Sequence, residues 1–230
     1  MPSTTFALRA SDDGGATWGA DVYNATVRRT VIDGNGSSWA SKWTVDRFTA
    51  TSTGVATLAF TKYSGLMVAP EEVFFLSSPN LLSEPNASAV MWDTMPAGPH
   101  GLAPPGGNPG ISAWAGRRSW RASCAGRPSP PFLAPVEEGH VVPLAALGYF
   151  MVARTSQGFL AAASTADPSG AGGWTATGGA RYWSATPVLS NRLLKQPRGP
   201  VQLRRMANGR YLLLFYFNSN AGFDGRNPCG

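Results

Sequence analysis

The stretch "SDDGGATW", Ser11 to Trp18, packs two carboxylates, Asp12 and Asp13, between the hydroxyls of Ser11 and Thr17. Carboxylates this close could ligate a cation or act as the acid and base of a glycosidase. Their adjacency favours a third role. Short Ser and Asp side chains accept hydrogen bonds from nearby backbone N–H groups, and glycine permits a left-handed backbone. The octet therefore reads as a hairpin turn with no metal, whose tryptophan is expected to bury its ring against a neighbouring sheet. His100 and His140 have no partners at metal or triad spacing and read as incidental. Cys124 and Cys229 lie far apart in loop-like contexts and define neither a metal site nor a disulfide framework. Nothing in the chain calls for a cofactor. The remaining chemistry belongs to arginine. The net charge is +6, yet only Lys42, Lys62 and Lys195 are lysines. Guanidinium groups suit carboxylates by bidentate hydrogen bonding. Apart from Arg117, Arg118, Arg121 and Arg127 the arginines are scattered, which argues against nucleic acid as the partner.

The elements that must position these groups are strands. With 43% hydrophobic residues, 14% charged residues, 27 Gly and 19 Pro, the 230-residue chain is turn-rich and apolar enough for one large domain spanning 1–230. Short apolar or aromatic runs bounded by turn formers predict strands at 4–10, 54–63, 72–78, 148–155, 158–164 and 210–218. Helical spacing is sustained nowhere. Two hairpins follow: 148–155 with 158–164 across Ser156-Gln157-Gly158, and "VQLRRM" with "RYLLLFYFN" across Ala207-Asn208-Gly209, since Asn-Gly favours tight hairpin turns. Residues 96–135, dense in Pro, Gly and Ser, read as a long surface loop or insertion, partly disordered. No signal peptide is visible and no apolar run approaches membrane-spanning length. Sequons at Asn24, Asn35 and Asn86 would matter only in a secretory compartment, so localisation stays open.

Ser11, Asp13, Gly15, Thr17 and Trp18 fit the pattern S-x-D-x-G-x-T-W, which resembles the Asp-box of sialidase-like (neuraminidase) BNR-repeat proteins. A looser second copy keeps Ser164, Asp167, Gly173 and Trp174. Trp18 and Trp174 are 156 residues apart, the interval of three blades of 52. "DGNGSSW", from Asp33 to Trp39, follows too soon for another blade and reads as a loop. The resemblance implies an all-β fold, a β-propeller of the six-bladed sialidase type, here incomplete at about four blades plus a remnant. It also implies that the boxes are structural and lie away from substrate.

The segment 137–164 is similar to the family segment in which a glutamate precedes a strand ending in arginine, followed by a turn and a strand leading into a box. The resemblance implies a catalytic Glu138, with Glu137 as the alternative register, and a substrate-binding Arg154 sixteen residues on. It implies a second substrate-binding guanidinium at Arg226, 72 residues beyond Arg154. The family's substrate carries a carboxylate that fixed guanidinium groups can hold, and its nucleophile is a tyrosine rather than a carboxylate. The family's first arginine and acid/base aspartate, upstream of the first box, and its tyrosine, beyond the last arginine, have no counterparts here. The expectation is a truncated member with an incomplete catalytic set, acting on or binding terminal sialic acid or a related acidic sugar. A non-catalytic propeller binding glycans or proteins is the alternative. A nucleic-acid binder using the arginine-rich insertion ranks third.

Overall fold

The computed structural model describes residues 5–33, 40–44, 46–64, 68–102, 136–144, 148–155, 160–176 and 201–215. It is all-β: among the described residues there is no α-helix, only two short 3-10 turns, Val31–Asp33 and Ala87–Ala89. Among the described residues four antiparallel sheets follow one another along the chain. The first pairs β1 (Thr5–Leu8) with β2 (Tyr23–Thr26). The second is ordered β3 (Ala40–Trp43), β5 (Ala56–Ser64), β6 (Val68–Ser78), β7 (Asp93–Met95), with β4 (Thr49–Ala50) also on β5. The third is a four-stranded meander, β8 (Val136–Pro143), β9 (Tyr149–Thr155), β10 (Leu160–Thr165), β11 (Thr175–Ala176). The fourth pairs β12 (Gln202–Arg205) with β13 (Tyr211–Leu214).

The six predicted strands coincide with β1, β5, β6, β9, β10 and the start of β13, and both predicted hairpins pair as read. Side-chain alternation explains how the sheets stack. Leu58, Phe60, Phe74 and Leu76 project to one face of the second sheet, where they meet Ala25 of β2, Val27, and Phe6 and Leu8 of β1. Residues of the opposite parity, Ala59, Val73 and Phe75, project to the other face, against Val141, Tyr149, Met151 and Ala153 of the third sheet. The far face of the third sheet, with Val142, Phe150 and Val152, meets Leu203 and Leu213 of the fourth. The two interior sheets are thus apolar on both faces, and the sheets pack in chain order. Aromatic contacts tie the layers: Phe6 lies edge-on to Phe60 at 5.3 Å, and Phe75 tilts over Tyr149 at 5.4 Å. Each large side chain buried this way contributes roughly 1.5–3 kcal/mol.

Direction along the strands sorts the connections. The Lys62 ammonium reaches the Arg28 carbonyl just past β2, and the Glu138 N–H reaches Thr61 Oγ1. These contacts bring the end of β2, the end of β5 and the start of β8 to one end of the stack. The β1–β2, β6–β7 and β10–β11 connections leave from the opposite end of their sheets. The octet lies in the first of these and Asp167 in the last.

Among the described residues one sheet stands between the sheet of Trp18 and that of Trp174; residues 103–135 of the three-blade interval lie outside the described residues. Residues 96–102, the described start of the loop or insertion read at 96–135, hold backbone hydrogen bonds: the Val31 N–H donates to the Pro99 carbonyl, and Leu102 exchanges backbone hydrogen bonds with Val73. Residues 103–135 of that expected loop lie outside the described residues. Asp33, read as part of a loop, is buried in the first 3-10 turn.

Candidate functional site

The octet is a self-contained turn. Asp13 Oδ1 accepts from Ser11 Oγ at 2.8 Å and from the Thr17 N–H at 2.9 Å, while Oδ2 accepts from Thr17 Oγ1 at 2.6 Å. Ser11 Oγ in turn accepts from the Gly15 N–H at 2.7 Å. The Thr17 hydroxyl, the Thr17 N–H and the Ser11 hydroxyl hold the Asp13 carboxyl far below the usual aspartate range. The Trp18 ring does not bury against a neighbour as expected: it is 60% exposed, because no described strand packs beside the β1–β2 connection there. The second loop does what the first was expected to do. Asp167 accepts from Ser169 Oγ, the Ser169 N–H and the Gly172 N–H, and Trp174 sits edge-on to Phe75 of the neighbouring sheet at 5.8 Å. These same bonds hold the Asp167 carboxyl below its usual range.

Glu138 lies inside β8, one strand ahead of β9 and its Arg154, at a break in register between Glu137 and His140. Its φ is +51°, a left-handed backbone that costs a non-glycine residue roughly 1–2 kcal/mol. The break lets β8 turn its N–H at 138 away from β9 and onto Thr61 Oγ1 of the second sheet, at 3.0 Å. Glu137 pairs in register with Arg154, so Glu138 and Arg154 stand on adjacent strands at the same end of the third sheet. The contacts of the Arg154 side chain, and Arg226 altogether, lie outside the described residues. β13, which leads toward Arg226, starts at Tyr211, whose hydroxyl donates to the Pro143 carbonyl at the far end of β8.

Two ionic groups escaped the sequence reading. At the end of the second sheet that carries Lys62 and Glu72, the ammonium of the fully buried Lys62 donates to Asp33 Oδ2 at 2.6 Å, to the Arg28 carbonyl at 2.7 Å and to Thr30 Oγ1 at 3.3 Å. Burial pushes the Lys62 pKa down against the pull of Asp33. Glu72, opposite Lys62 on β6, accepts from the Gly101 N–H at 2.7 Å and lies 3.3 Å from His100 Nδ1. The signal was available, since Lys62 shares the parity of Leu58 and Phe60 and so had to enter an apolar layer. The second group is His140, expected to be incidental. It is buried, with Nδ1 2.7 Å from Asp46 Oδ1. A separation of 94 residues hid that pair from any local motif.

Among the described residues no cluster of three or more His, Cys, Asp or Glu is placed to hold a metal, and no helix is long and apolar enough to cross a membrane. Comparison of the chain with protein-family models, curated proteins and solved structures finds no match.

Proposed function

We propose that the chain is a sialidase-like β-propeller that holds a terminal sialic acid or related acidic sugar through Arg154, Arg226 and Glu138. One observation carries this reading: both Asp-centred turns leave their sheets at the end opposite Glu138 and Arg154. The four-stranded meander of the third sheet, and apolar sheets stacked in chain order, support consecutive blades. In this reading the ligand meets the end that carries Glu138 and Arg154, away from the two turns. In this reading the two guanidinium groups pair with the sugar carboxylate and Glu138 acts beside them.

The test is calorimetric titration of the full chain with a methyl α-sialoside and with a neutral methyl galactoside, paired with a fluorogenic sialoside assay. The sialoside should bind more tightly than the galactoside, and Arg154→Ala and Arg226→Ala should each weaken it roughly tenfold or more. Equal affinity for both sugars, or unchanged affinity in both variants, refutes the reading. Turnover that falls in Glu138→Gln assigns hydrolysis; selective binding without turnover assigns a binding module.

A further inference from the structure

Side-chain alternation gives the β12–β13 hairpin two unlike faces. Leu203 and Leu213 point inward, onto Val142 and Val152 of the third sheet. The opposite parity puts Gln202 and Arg204 on the outer face, each directly across from a leucine, Leu214 and Leu212 respectively. Those two leucines are 62% and 53% exposed. Met206, at the hairpin turn, and Tyr211 are exposed as well, so four large apolar side chains lie open between positions 206 and 214. A strand whose outer face met only water would carry polar residues there, yet "YLLL" keeps leucine at both parities.

Charge marks the same face. Residues 201–215 include Arg204, Arg205 and Arg210 and no acidic residue. Arg204 and Arg210 are exposed, and Arg47, exposed on the segment before β4, borders the same open depression as Arg204, Leu212 and Leu214. Open leucines beside guanidinium groups without acids match one kind of surface. The leucines gain by leaving water for acyl chains, and the guanidinium groups gain by approaching anionic headgroups. Nucleic acid would answer the arginines and leave the leucines wet. An apolar protein face would answer the leucines and desolvate the arginines with no counter-charge. We propose that the outer face of the β12–β13 hairpin docks the chain on an anionic lipid surface, with Met206, Leu212 and Leu214 in the interface and Arg47, Arg204 and Arg210 on the headgroups. The contact is peripheral and uses none of Glu138, Arg154 or Arg226, so it stands or falls independently of the sugar reading.

The experiment sediments the full chain with vesicles of phosphatidylcholine alone and of equimolar phosphatidylserine and phosphatidylcholine. The chain should bind the mixed vesicles and not the neutral ones. Arg204→Gln and Arg210→Gln should each weaken binding roughly fivefold, the effect of one basic residue at an anionic surface. Leu212→Ser combined with Leu214→Ser should weaken it roughly tenfold or more with the charge unchanged. All four positions are exposed, so an unchanged circular dichroism spectrum is expected of every variant. Equal binding to both kinds of vesicle, binding to neither, or full binding by the double leucine variant would each overturn the proposal. So would a single-stranded oligonucleotide that binds native chain and double leucine variant alike and displaces both from the vesicles, since that result assigns the arginines to nucleic acid.

Discussion

Replacing Lys62 by methionine tests the electrostatics that hold the first 3-10 turn against the second sheet. All three ammonium protons are engaged, with Asp33, Arg28 and Thr30, and the ammonium stands 5.5 Å over the Phe74 ring. At 2.6 Å and an effective dielectric constant of about 20, the Lys62–Asp33 attraction is roughly 6 kcal/mol gross. Desolvating both ions costs several kcal/mol each, so the pair is close to neutral compared with two apolar side chains. Removing one partner is different, because Asp33 is then buried without its cation. Methionine keeps the packing of the stem, and the expected loss is about 3–5 kcal/mol, a large share of a domain's total stability. Urea unfolding followed by tryptophan fluorescence measures it, and the double variant Lys62→Met with Asp33→Asn should recover part of the loss.

The pH profile adds a sign. Burial alone raises the Asp33 carboxyl, but the Lys62 and Thr30 hydrogen bonds and the Lys62 charge outweigh it and hold the folded value below the unfolded one. The stability it contributes is therefore present above the unfolded carboxylate range and lost as pH falls through the folded value. Lys62→Met should flatten that acid limb. A loss under about 1 kcal/mol, or strictly additive effects in the double variant, refutes the reasoning.

Two further expectations concern turns. Asp13 should stay ionised in the folded chain well into acid, so the Thr17 amide resonance should hold its shift at pH values where an ordinary aspartate protonates; its stabilising contribution is lost only as pH falls toward that depressed value, and a titration step in the ordinary range would contradict the geometry. Gly148 and Gly209 both have positive φ, yet a Cβ at 148 would lie 1.9 Å from the Thr165 carbonyl oxygen while one at 209 meets nothing within 4 Å. Gly209→Ala should cost about 1 kcal/mol of backbone strain, whereas Gly148→Ala should cost several times more or prevent folding, as thermal unfolding would read.

Apolar runs bounded by turn formers made the strands around Phe60, Phe74 and Met151 legible, because strands packed on both faces carry apolar residues at both parities. β2, β3, β7 and β11 were not, since "YNAT", "ASKW", "DTM" and "TA" carry too few apolar residues to signal a strand and exist by pairing with longer neighbours. The octet's turn chemistry was legible down to its acceptors, because every partner lies within four residues. The outward position of Trp18 was not, since burial depends on what packs alongside. The Asp46–His140 and Lys62–Asp33 pairs join residues 94 and 29 positions apart, and only the stacking of sheets brings them together.

That stacking also limits where this chain can do chemistry. A sheet covered on both faces by apolar neighbours has no room for a charge along its length without a large desolvation cost, so ionic groups collect at strand ends and where a ladder is interrupted. At the end that carries the octet and Asp167, the Asp13 and Asp167 carboxylates each accept three hydrogen bonds from their own turns. Bonds of that number within one turn give both a structural role. The opposite end carries Lys62, Asp33 and Glu72 on the second sheet and Glu138 on the third, and the gap in the β5 ladder holds the Asp46–His140 pair. Among the described residues, the buried acidic and basic side chains gather at those two places.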